Sequence, residues 1–74
     1  MTSPMVGTFY TAPAPDAEPF VKVGDNVSEE TVIGIIEAMK VMNPILAPRS
    51  GKVTRILASD AQPVEFGEPL LILE

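Results

Sequence analysis

Cysteine, histidine and tryptophan are all absent from this 74-residue chain. Without cysteine there is no disulfide and no thiolate chemistry, and without cysteine or histidine the usual zinc ligand sets are excluded. The redox compartment is left open. Positive charge is scarce too: five basic residues stand against ten acidic ones, for a net charge of −5. Lys22, Lys40, Arg49, Lys52 and Arg55 are dispersed along the chain without aromatic interleaving, which argues against nucleic acid as a partner. No apolar run approaches the roughly 18 residues that cross a bilayer, and no charged segment precedes an apolar one near the start. The chain therefore reads as soluble and unexported, with no membrane partner. Its abrupt start at Met1-Thr2-Ser3-Pro4 and its end at Glu74, just past an apolar run, are what a domain of a longer protein would show.

What remains is one small domain. A single core of this size rarely contributes more than about 3 to 5 kcal/mol without staples, so an efficient fold is required. The apolar segments are short, rich in β-branched residues and separated by Gly, Pro, Asp and Asn at intervals of roughly 8 to 12 residues, the signal of an all-β barrel or sandwich. Strands are expected over Met5 to Phe9, Phe20 to Val23, Val32 to Glu37, Val41 to Leu46, Gly51 to Ala58 and Leu70 to Leu73.

The two halves resemble each other. Val27 to Glu37 can be laid on Val64 to Glu74 at an offset of 37 positions, with apolar residues coinciding through most of the closing strand. Upstream, Pro4-Met5-Val6-Gly7 matches Pro48-Arg49-Ser50-Gly51 at an offset of 44. The first half thus carries seven extra residues, and the surplus falls where a Pro-rich stretch, Tyr10 to Pro19, lies. Two similar β units, each unable to bury an apolar face alone, would pack as a flattened barrel with quasi-twofold symmetry.

At the centre stands Glu37-Ala38-Met39-Lys40-Val41-Met42. Propensity alone would write a short helix over Glu37 to Lys40. The β-branched residues before it, and Pro44 biasing Asn43 away from the helical region, argue for extended structure. A two-residue hairpin turn normally wants Gly or Asn at its centre, and Met39-Lys40 supplies neither.

This stretch resembles the biotinylation motif, whose core is Ala-Met-Lys; Val41 stands where methionine usually follows the lysine. The similarity runs on through Ser3-Pro4-Met5-Val6-Gly7-Thr8-Phe9-Tyr10, the segment Ala12-Pro13-Ala14-Pro15-Asp16-Ala17, Gln62-Pro63-Val64-Glu65-Phe66 and Pro69-Leu70. On these residues, covering nearly all of positions 1–74, the chain is similar to the biotinyl domain of bacterial and plastid acetyl-CoA carboxylase. A lone Ala-Met-Lys is weak, but a collinear set is strong.

The resemblance implies an all-β, biotinyl/lipoyl-type barrel-sandwich with a protruding thumb at about residues 11–19. It places Lys40 at the tip of a tight turn, covalently joined to biotin by a biotin protein ligase. Glu37, Ala38, Met39 and Met42 are then the motif that the ligase reads, although Glu37 is also read as a polar strand end and both methionines as ordinary packing. An ordinary exposed lysine titrates near about 10.4, so only about one amine in a thousand is free near pH 7.4; the ligase has to promote deprotonation. The modified lysine would serve as a swinging arm between a biotin carboxylase and a carboxyltransferase, making malonyl-CoA for fatty acid biosynthesis in a cytoplasm or plastid stroma. The domain itself would catalyse neither step.

The thumb residues Ala12, Pro13, Ala14 and Pro15 are expected to fold toward the biotin ring. Ala12 replaces a threonine often found there, which removes one hydroxyl contact; the bland alternative is a mobile loop. Lys22 and Lys52 lack the methionine flanks and are expected to stay unmodified. Two other functions fit the same fold: a lipoyl carrier, whose usual Asp-Lys-Ala flanks are missing here, and an unmodified β-barrel interaction module using the Pro-rich loop. Independent catalysis lacks a nucleophile and base pair.

Overall fold

A computed structural model describes residues 1–14 and 16–74; Pro15, expected in the thumb, lies outside the described residues. Short alternating runs bounded by turn residues give strands and no helix among them: β1 Gly7–Tyr10, β2 Asn26–Val27, β3 Val32–Ala38, β4 Val41–Leu46, β5 Gly51–Ile56, β6 Gln62–Val64 and β7 Leu71–Leu73. They form two antiparallel sheets, one in the order β4-β3-β1-β6 and the other β2-β5-β7. Among the described residues the sheets do not join into a closed barrel; the arrangement is an open sandwich.

The internal repeat reappears as strand pairing. Gly7 pairs with Val64 and Gly51 with Val27; Phe9 pairs with Ile36 and Val53 with Leu73. The isolated bridge Thr2 to Pro69 matches the pair Leu46 to Val32. All three relations follow from the offsets of 44 and 37. They also reveal an exchange the linear comparison did not contain: β6, from the second half, pairs with β1 of the first, while β2 of the first pairs with β5 of the second. Neither half completes its own sheet.

The core lies between the sheets. Phe9, Ile33 and Ile36 project from one sheet and Val53, Leu71 and Leu73 from the other, joined by Val21, Val27, Ile45, Val64 and Leu70. Each such side chain contributes roughly 1.5 to 3 kcal/mol on burial, which chain entropy largely offsets. Ser3 is the buried polar residue: its Oγ donates to the Met5 carbonyl at 2.6 Å, and its backbone bonds Glu68 and Gly67.

One expected strand is absent. Phe20 to Val23 runs alongside without a ladder: Phe20 N–H donates to the Thr11 carbonyl and Lys22 N–H to Asp25 Oδ2, leading into a turn at Gly24. Val21 is nonetheless buried, so its apolar character reports packing and not pairing. Conversely, β2 and β6 were not expected, because two or three residues are too few to show alternation. β6 also contains Pro63, tolerated because β6 is an outer strand.

Candidate functional site

From Gly34 and Ile45 β3 and β4 pair without a break up to Ala38 and Val41, so Met39 and Lys40 alone form the connection. Both adopt left-handed backbone, with φ of 52° and 65°, the pattern of a type I′ hairpin turn. This geometry matches the right-handed twist of the flanking strands, which a common type I turn would splay. Helix propensity over Glu37 to Lys40 is overridden by the ladder on either side. The tip is open to solvent: Met39 is 95% exposed, Lys40 is exposed, and Val41 and Met42 are half exposed.

Asn43 pairs with Ile36 two steps behind the pair that closes the turn. Its Nδ2 donates to the Val41 carbonyl at 3.0 Å and to the Ile36 carbonyl at 3.2 Å. Glu37 lies directly across from Met42 and accepts a 3.2 Å hydrogen bond on Oε1 from the Tyr10 hydroxyl of β1. That bond, followed by desolvation and by the negative charges of Glu37 and Asp60, holds the Tyr10 phenol above its ordinary pKa of 10.0.

Beyond Tyr10 the chain leaves the sheet in the Pro-rich stretch where a thumb is expected. Its neck is closed by the Phe20 N–H donating to the Thr11 carbonyl at 2.8 Å. Thr11 is fixed in turn to the β5–β6 connection, where Asp60 Oδ1 accepts from its N–H at 2.9 Å and from its Oγ1 at 3.3 Å. Within this stretch the Ala17 N–H donates to the Ala14 carbonyl at 3.0 Å. Between thumb and hairpin runs a groove of about 480 Å³ lined by Tyr10, Ala12, Pro13, Ala14, Met42, Asp60 and Ala61.

Of the residues expected from sequence, Ala12, Pro13, Ala14 and Met42 meet in this groove. Glu37 adjoins it through Tyr10, while Met39 and Lys40 stand at the tip and Ala38 closes the ladder. Sequence reasoning missed Tyr10, Asp60 and Asn43. Asn43 carried a signal that could have been read, since asparagine is depleted in strands; nothing in the sequence linked Asp60 to Thr11. The groove has mixed walls, apolar at Ala12, Pro13, Ala14 and Met42 and hydrogen-bonding at Tyr10 and Asp60.

Comparison with known proteins returns the same architecture. A family model described as "Biotin-requiring enzyme" matches residues 1–73. The chain is 54% identical over 70 residues to the biotin carboxyl carrier protein of acetyl-CoA carboxylase from Chlamydia pneumoniae, covering 95% of this chain and 42% of that protein. It is 49% identical over 73 residues to the chloroplastic biotin carboxyl carrier protein of acetyl-CoA carboxylase 2 from Arabidopsis thaliana, covering 99% and 29%. It superimposes on part of the Kluyveromyces lactis urea carboxylase with a TM-score of 0.79 and 32% identity, covering 100% of this chain and 6% of that one. The chain thus spans less than half the length of these curated relatives.

Proposed function

The chain belongs to the biotin-requiring enzyme family, and from that premise we propose that it is the biotin carboxyl carrier domain of an acetyl-CoA carboxylase, with biotin joined to Lys40. The observation that carries this reading is the exposed two-residue turn, which presents a single lysine at the tip of an otherwise rigid hairpin. Attachment by a separate ligase needs such access, because the amine must enter another protein's active site. The curated relatives bear names that specify the biotin carrier of this carboxylase.

The residues present fit the cofactor. A groove of about 480 Å³ opens beside the turn, lined by Ala12, Pro13 and Ala14 on one side and Met42 on the other. Biotin, when attached, supplies a ureido nitrogen that accepts and surrenders carboxylate. The chain's own residues do the rest. The turn fixes Lys40 Cα while its four-carbon stem stays mobile, and the stem's tether raises the effective concentration to order mM with a suitable span. Met39, Val41 and Met42 offer adaptable apolar surface to a ligase, with Ala38 and Glu37 completing the motif. The Tyr10 hydrogen bond holds Glu37 in one orientation. The thumb, fixed at its neck by Asp60, offers a wall against which a ring can rest.

On this reading the partners are a biotin protein ligase, a biotin carboxylase and a carboxyltransferase, and the product pathway is malonyl-CoA formation for fatty acid biosynthesis. The bacterial and chloroplastic relatives support a cytoplasmic or stromal setting. The domain carries the group without catalysing its transfer. The lipoyl alternative is not favoured, since these relatives are biotin carboxyl carrier proteins.

The test is intact mass after incubation with biotin, ATP and a biotin protein ligase, followed by peptide mapping. One biotin is expected on Lys40 and none on Lys22 or Lys52. Lys40→Arg should abolish incorporation while leaving the fold intact; biotin persisting in that variant would overturn the assignment.

A further inference from the structure

Left-handed backbone at two consecutive residues that are neither Gly nor Asn is strained, and it persists only where the surroundings over-determine it. Met39 and Lys40 are in that position. Their own side chains are exposed and cannot supply the restraint, so it has to come from the strands behind them. Asn43 is half-buried opposite Ile36, at a place in β4 where a β-branched residue would suit the sheet better. Its amide reaches both the Val41 carbonyl, on the pair that closes the turn, and the Ile36 carbonyl on the facing strand.

We infer that Asn43 is the positioning residue for the modified lysine: its side-chain amide clamps the base of the hairpin and so holds the Met39-Lys40 turn in the one conformation that a modifying enzyme accepts. The functional half of this inference rests on the carrier reading above; the conformational half does not. Without the clamp the tip samples other turns, and only a fraction of molecules present Lys40 correctly. An enzyme that binds one conformer then sees a dissociation constant raised by the reciprocal of that fraction. The effect falls on KM and leaves kcat unchanged, because the bound state is the same once formed.

The experiment compares the unaltered chain with Asn43→Ala and Asn43→Asp by amide hydrogen exchange and by ligase kinetics. Loss of one to two net hydrogen bonds opens the tip by about ten-fold. The Ala38 and Val41 amides, on the pair that closes the turn, should therefore exchange about ten-fold faster while those of Phe9 and Val53 are unchanged. KM for the domain as ligase substrate should rise by the reciprocal of the fraction left in the closed turn, a factor smaller than the gain in exchange, at constant kcat. Adding Met39→Asn, which tolerates positive φ, should restore tip protection in the Asn43→Ala background.

Unchanged tip exchange in both variants overturns the inference. So does acceleration spread equally over tip and core, which would mark Asn43 as a general stabiliser, and so does a loss in kcat at constant KM. An unaltered chain that takes up no biotin at all sinks the carrier reading instead, and tip exchange with its Met39→Asn rescue then decides the clamp on its own.

Discussion

Replacing Gly34 by alanine probes how tightly the sandwich is closed. Gly34 lies in β3 at an irregularity in the ladder with β4, and a Cβ there would drive into the ring of Phe9, with Cζ at 2.7 Å and the Tyr10 carbonyl oxygen at 3.0 Å. Phe9 is buried and hemmed in by the core, and the carbonyl belongs to the paired strand β1, so neither can simply withdraw. Forcing a methyl group into a packed interior costs about 1 to 3 kcal/mol. Removing glycine's backbone freedom from the unfolded chain returns about 0.4 to 1 kcal/mol. The net loss is about 1 to 2 kcal/mol, a large share of the stability available to a domain of this size. At about 4 to 8 °C per kcal/mol, Tm should fall by about 5 to 15 °C. Thermal and urea unfolding followed by far-ultraviolet circular dichroism measures this. A second substitution, Phe9→Leu, removes the atoms that the new methyl meets, so the double variant should lose less than the sum of the singles by at least about 0.5 kcal/mol. Gly24→Ala is the contrast. Its φ is +99° with nothing within 4 Å, so it should destabilise through backbone alone and add independently to Phe9→Leu. A Gly34→Ala variant within about 2 °C of the parent, or strict additivity with Phe9→Leu, would refute the packing argument.

Three further outcomes are expected. Spectrophotometric titration of Tyr10, the single tyrosine, should give a midpoint above 10.0, and Glu37→Gln should move it back; a raised folded pKa means this contribution to stability is complete below the ordinary value and is lost as pH climbs through the folded one. Asp60→Ala removes the acceptor for Thr11 and should speed exchange at the Thr11 amide several-fold while shifting Tm by under about 3 °C, since the contact is at the surface; Asp60→Asn, which keeps an oxygen acceptor, should retain most of the protection. Deleting Ala12 to Glu18 should leave a cooperative unfolding transition, because the described residues among them contribute no side chain to the buried core; a non-cooperative melt would make the thumb structural.

The all-β class and the repeat were legible in the sequence because turn residues punctuate it at short intervals and because the two halves keep their apolar positions in step. β4 and the motif's place between strands were legible for the same reason. The exchange of β2 and β6 between halves was not, since two or three residues carry no period and pairing partners so far apart leave no local trace. Val21 misled through burial without pairing. The hairpin tip was legible only through family resemblance: Met39 and Lys40 carry no intrinsic preference for left-handed backbone, and what holds them lies in Asn43 and the ladder. The thumb's course was likewise carried by an Asp60 contact across 49 positions, which no pattern in the Pro-rich stretch announces.

The exchanged strands also set a clock for biosynthesis. β1 needs β6, so Gly7 has no partner on one side until Val64 has been made. At about 5 to 20 residues per second that wait is about 3 to 11 s, and for roughly the last 1 to 5 s of it the segment around Lys40 already exists as polypeptide. The nascent chain therefore passes through an interval in which the lysine is present but its rigid mount is not. A modifying enzyme that reads the turn's shape would ignore the unfinished chain and act only after both halves have met.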